Sequence, residues 1–229
     1  MRALVAVVLL LGVLFVIADR VGVAVAEDQV ADRIAEQGGL PGPPEVDIAG
    51  FPFLTQALSG RYDEVRIALT AADLGQPEGT DADVTLRGVQ VPLSDVLAGS
   101  VQQVPVDRVD GTATLSYALL SAQLGGVTRL EREGDGLRIT RTVELLGQQV
   151  PLTASGEVTL DGSDLVVDVQ EAEGAGVDLP GIVVDQASDL LDLRYTVPAL
   201  PLDLQLTDVR PADDGVVVDV AGAGTVLGG

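Results

Sequence analysis

The chain has 229 residues, a formal net charge of −22 and no His, Cys, Trp or Lys, so every basic residue is Arg. Such a polyanion does not bind nucleic acid by counterion release, and it has no polybasic stretch to hold it on an anionic bilayer. The missing His and Cys remove the commonest general base, the thiol nucleophiles and the usual transition-metal ligands, which leaves few enzyme mechanisms open.

Arg2 is followed by an unbroken apolar run from Ala3 to Ala18, closed by Asp19-Arg20. This reads as a signal peptide or a membrane anchor. Ala24-Val25-Ala26 before Glu27 fits a cleavage site. Against that, Val21, Val25, Val30 and Ile34 recur at near-helical spacing, as in a helix continuing from the membrane to Gly38. Residues 1–26 are therefore read as signal peptide or anchor, and 27–229 as one domain; both readings put that domain outside the cytoplasm. Gly38-Gly39 stops the helix, and Pro41-Gly42-Pro43-Pro44 forms a stiff linker. Glu45 to Gly50 alternates as a short strand.

Gly50-Phe51-Pro52-Phe53-Leu54-Thr55-Gln56-Ala57-Leu58-Ser59-Gly60 holds both phenylalanines that lie beyond the N-terminal run. It predicts a proline corner, then a helix from Phe53 to Ser59 that presses an apolar face onto the surface beneath. Strands are expected at Tyr62–Ala71, Ala82–Val91 and Val104–Ala113, and a short helix after Pro92 capped by Ser94. Thr114 to Leu124 predicts a helix with Leu115, Ala118, Leu119 and Ala122 on its apolar face, stopped by Gly125-Gly126. Tyr117 lies on that helix.

Three hairpins follow, turning at Gly134-Asp135-Gly136, at Asp161-Gly162-Ser163-Asp164 and at Arg210 to Gly215. Between the last two, Ile182 to about Leu193 reads as a helix starting near Pro180, with Tyr195 at its end. The sum is α+β: a long curved antiparallel sheet wrapped on a few short helices, behind an N-terminal hydrophobic helix. Between its layers such a sheet can keep an apolar groove.

Gly50-Phe51-Pro52-Phe53-Leu54-Thr55-Gln56, then Gly60-Arg61-Tyr62-Asp63-Glu64-Val65, resembles the signature of the LmeA-like phospholipid-binding family of bacterial envelope proteins. Leu200-Pro201-Leu202 and the run from Leu206 to Val216 are similar to that family's closing hairpin. The resemblance spans about Ala18 to Val220. It implies a TULIP-like fold and an extracytoplasmic, non-catalytic protein that binds phospholipid acyl chains, with no cofactor. It also implies support for mannan assembly on envelope lipoglycans, with glycan-assembly proteins as partners and the membrane reached through the N-terminal helix. The residues expected to line the groove are Phe51, Phe53, Leu54, Leu58, Leu115, Tyr117, Leu119 and Leu120. The alternative is a membrane-tethered, non-catalytic scaffold for an envelope enzyme.

Acidic pairs such as Asp63-Glu64, Asp81 with Asp83, Glu171 with Glu173 and Asp213-Asp214 could serve a glycosidase or a calcium site. With 35 acids such pairs arise by chance, and no D-x-D-x-D-G loop is present. Arg129, Arg132, Arg138 and Arg141 concentrate on one hairpin. A phosphate headgroup would suit them, although pairing with Glu131, Glu133 and Glu144 is the plainer expectation.

Overall fold

The computed structural model describes residues 1–99, 101, 103–123, 128–145, 148–161, 164–174, 177–178, 193–196 and 204–228. Among these, the fold is α+β with two antiparallel sheets and few helices.

The first element is one continuous helix, α1 (Arg2–Gly38), ended by Gly39 in the left-handed conformation. Apolar side chains from Leu4 to Ile17 are exposed along it, whereas Asp19, Val23 and Ala31 are buried. The hydrophobic run and the amphipathic segment are thus parts of one rod. β1 (Glu45–Ala49) follows, then α2 (Phe53–Ser59) with the span expected from the sequence, and β2 (Arg61–Leu69). The corner before α2 contains a cis Phe51–Pro52 peptide. Gly60 ends α2 at φ 68°, a left-handed conformation that glycine adopts without a Cβ penalty.

The strand expected to reach Ala71 stops at Leu69. α3 (Ala71–Leu74) begins there because Thr70 and Asp73 cap each other's backbone reciprocally. β3 (Asp81–Gln90) and α4 (Leu93–Ala98) come next. Pro92, not Ser94, occupies the cap position of α4, and the Ser94 hydroxyl donates to Asp95 at 3.0 Å.

β4 (Gln103–Ser116) is longer than expected, and α5 (Tyr117–Gln123) correspondingly shorter. Leu115 therefore lies on a strand rather than on a helix. Leu124 and the Gly125-Gly126 stop lie outside the described residues. β5 (Thr128–Glu133) and β6 (Gly136–Leu145) form the first hairpin, then β7 (Gln148–Asp161) and β8 (Asp164–Gly174) the second. β9 (Val177–Asp178) and β10 (Leu193–Thr196) both pair with β8. Tyr195 is thus a strand residue opposite Leu165. The rest of the expected Ile182–Leu193 helix lies outside the described residues. β11 (Gln205–Pro211) and β12 (Gly215–Gly228) form the last hairpin.

One sheet has the order β1-β2-β3-β4-β12-β11 and the other β10-β8-β7-β6-β5. The described chain divides into two compact units. The first holds 1–69, 83–110 and 222–229. In it α1 packs on β1 and α2, and Val46, Ile48, Val65, Leu86, Val89, Val106 and Val109 are buried. The opposite face carries ion pairs, most of them cross-strand: Arg87 reaches Glu64 and Asp110, Arg66 reaches Asp47 and, along its own strand, Glu64, and Arg61 meets Asp107 at 3.0 Å. This is the half-wetted sheet that strict alternation foretells.

The second unit holds 70–82 and 111–221. Its core is Leu130, Leu137, Ile139, Val158, Val216 and Val218, with Ile139 fully buried. β11 packs on β7 and β6, and α5 on β5. Gly215 lets β12 start against β4: a Cβ there would stand 2.2 Å from the Leu115 carbonyl oxygen.

Candidate functional site

The expected groove residues fall into one group in each unit. In the first, Phe53 is nearly sealed at 6% exposure. Its ring centroid lies 6.1 Å from that of Tyr62. It also faces Gly22 of α1, where a Cβ would sit 3.5 Å from the ring. Leu54 is half-buried. Phe51 and Leu58 point to solvent instead, 62% and 75% exposed. The expectation of one apolar face for α2 therefore divides: Phe53 plugs the core, and its two neighbours stand outside it.

What fixes this corner is polar. The Asp19 carboxylate, with no exposure, accepts the Leu54 N–H at 2.9 Å and so caps α2 from another helix. Its other oxygen takes the Arg20 guanidinium at 2.8 Å, and that guanidinium lies 5.4 Å from the Phe51 ring centroid. Gln56, also buried, donates to the Ala49 carbonyl at 3.1 Å and accepts the Asp63 N–H at 2.9 Å, joining β1 to β2. Further along α1, Glu27 accepts the Ile48 N–H at 2.8 Å. In the sequence Asp19 reads only as the end of an apolar run. Nothing local signals that its partner is 35 residues away.

In the second unit Leu115, Tyr117, Leu119 and Leu120 are all half-buried. Leu115, Tyr117 and Leu120 pack against the core together with Leu160, Leu206, Val209 and Val220, which are themselves only partly buried. The Tyr117 hydroxyl donates to the Ala212 carbonyl at 2.7 Å, and burial pushes its pKa up. Ser116, almost fully buried, accepts the Leu119 N–H at 3.2 Å and the Thr80 hydroxyl at 2.8 Å. Ser116 thus caps α5. A serine just before an apolar-periodic run is an ordinary helix-start signal, but the periodicity of Leu115 with Leu119 pulls the expected start too early.

Two of the four hairpin arginines, Arg132 and Arg138, are shown engaged by acids. Arg138 pairs with Glu133 and stands opposite Glu131, and Arg132 meets Asp213 at 2.7 Å. Arg138 and Ser155 together hold the Glu133 carboxyl below its ordinary value. Asp213, from one of the acidic pairs, is thereby an ion-pair partner. Asp81, from another, accepts the Thr114 hydroxyl at 3.2 Å.

The chain matches the LmeA-like phospholipid-binding family over residues 17–221. It belongs to that family. The match begins inside α1, two residues before Asp19, and ends within β12, so both groups of residues lie inside it. No curated protein and no solved structure matches the chain.

Proposed function

We propose that this LmeA-like protein is an extracytoplasmic phospholipid-binding protein, tethered by α1, that holds acyl chains in an apolar groove and supports assembly of envelope lipoglycans of the mannan type. The family match over 17–221 carries the reading. Binding works by desolvation. Each methylene taken out of water contributes about 0.8 kcal/mol, so ten of them contribute about 8 kcal/mol. No bond is made or broken.

The groove is assigned to the second unit. There Leu115, Tyr117, Leu119 and Leu120 are only half-buried, and three of them flank the sealed core. Apolar side chains left half-covered beside a packed core are surface that a fatty tail can finish burying. The exposed-face position of Phe51 and Leu58 argues against a lining role for those two.

α1 is proposed to stay attached. Removal after Ala26 would take away Asp19, which caps α2, and Val23, which is 7% exposed. The intact mass of the protein extracted from membranes is then that of a chain retaining residues 1–26. A mass beginning at Glu27 would refute the tether.

The test of lipid binding is extraction. Delipidated full-length protein, offered phosphatidylcholine and phosphatidylglycerol vesicles and re-isolated, carries phospholipid in native mass spectrometry. Leu119→Asp lowers that load severalfold while the thermal midpoint falls by only a few degrees from that of the parent. Protein that returns empty, with a stoichiometric protein partner in gentle purifications, would support the scaffold reading instead.

A further inference from the structure

The geometry points to a second membrane contact: we propose that the corner around Phe51, together with α2 and α4, rests in the interfacial layer of the bilayer that α1 crosses. The contact rests on α1 being a retained anchor, and it is separate from the acyl-chain groove of the second unit.

The apolar run from Ala3 to Ala18 rises about 24 Å as a helix, whereas the hydrocarbon core of a bilayer is about 30 Å thick. The run alone falls about 6 Å short, which is about four residues of helix. Asp19 to Gly22 therefore occupy the last ~6 Å of hydrocarbon, directly beneath the ester and headgroup layer. At that level an aspartate would ordinarily be costly. Here its carboxylate is fully covered, capping α2 and paired with Arg20. The same contact pins the start of α2 to that height, because the bond from Asp19 to Leu54 is only 2.9 Å long.

The surface beside it suits such a place. Phe51, under the Arg20 guanidinium, is 62% exposed, and Leu58 is 75% exposed. α4 packs on α2 and presents Leu97 at 79% exposure, with Val96 also exposed. On α1, Val21 and Val25 are exposed just beyond the apolar run. Apolar side chains around a single arginine form the composition of an interfacial anchor, and the guanidinium can meet lipid phosphate. A soluble partner is disfavoured because the patch adjoins the exit of the membrane helix.

The native chain has no Trp, so each single substitution is a reporter. Phe51→Trp, Leu58→Trp and Leu97→Trp are made in the full-length protein. Each is reconstituted in phosphatidylcholine vesicles whose acyl chains are brominated near the ester. Glu36→Trp, about 25 Å further along α1, is the control for distance from the membrane. Tyr117→Trp reports separately on lipid taken into the second unit. The expected result is that the reporters at 51, 58 and 97 shift to the blue and lose about half their emission, while the one at 36 does neither. Unquenched emission at 51 and 97, or equal quenching at 36, overturns the contact. If only the reporter at 117 is quenched, the contact is overturned and the groove stands. If those at 51, 58 and 97 are quenched and 117 is not, the contact stands and the groove is lost.

Discussion

Asp19 shows how much one side chain can organise. Its buried carboxylate receives an N–H from the first turn of α2, so Asp19→Ala leaves a buried donor without a partner. The expected outcome is a thermal midpoint lower by several degrees, with Asp19→Asn falling about half as far because its amide oxygen still accepts. Differential scanning calorimetry of the full-length protein reads both. Two glycines make an opposite pair. Gly215→Ala would put a methyl 2.2 Å from the Leu115 carbonyl oxygen, a backbone atom that cannot turn away. A loss of about 2 kcal/mol is expected by urea denaturation. Gly22→Ala meets the Phe53 ring at 3.5 Å and the Leu54 side chain at 3.6 Å, both ordinary contact distances, and replaces a helical glycine, so it leaves stability unchanged or raises it. Ile139, with no exposure in the second unit, is the core position whose truncation to Ala costs most there, about 4 kcal/mol.

α1 is the element with two roles. Its first half is exposed and apolar, and its second half packs on β1 and α2 through Val23, Ala31, Asp19 and Glu27. A chain beginning at Glu27 keeps the Glu27 bond to Ile48 but loses the cap on α2. It should fold with a lowered midpoint and with amide exchange at Phe53 and Leu54 much faster than in the full chain, while exchange at Ile139 is unchanged. Equal protection at Leu54 in both chains would show that Asp19 does not hold α2. α2 is an element the sequence defines well: a proline before it, a glycine after it and apolar residues within give Phe53–Ser59 directly. α5 was less legible, because Leu115 and Leu119 sit at helical spacing although Leu115 belongs to the strand that meets β12.

At the scale of the whole molecule the charge of −22 governs solubility, and a few carboxylates govern acid stability. Glu64 is held below its ordinary 4.5 by Arg66 and then by Arg87. Asp219 is held below 3.8 first by the Thr112 hydroxyl and then by Arg210. A folded-state pKa below the unfolded one gives stability that is present above the unfolded value and lost as pH falls through the folded one. The thermal midpoint should therefore drop as pH falls below about 4.5, and Glu64→Gln should make that limb shallower. These pairs are exposed, so added salt also weakens them. An acid limb identical in Glu64→Gln and parent would show that Glu64 has no part in it.

Composition and periodicity alone determined the class of this protein. Missing His and Cys removed most catalytic chemistry, alternation gave antiparallel strands, turn residues gave the hairpins, and the Phe-Pro-Phe corner carried the family resemblance. These are local signals, readable because each depends on neighbours a few residues away. The tertiary structure alone decided that α1 is continuous, that Asp19 caps a helix 35 residues on, and that Phe53 turns inward while Phe51 turns out. Those outcomes depend on which surfaces meet across long stretches of chain, and a pattern of residue types does not encode which of two adjacent rings finds a partner.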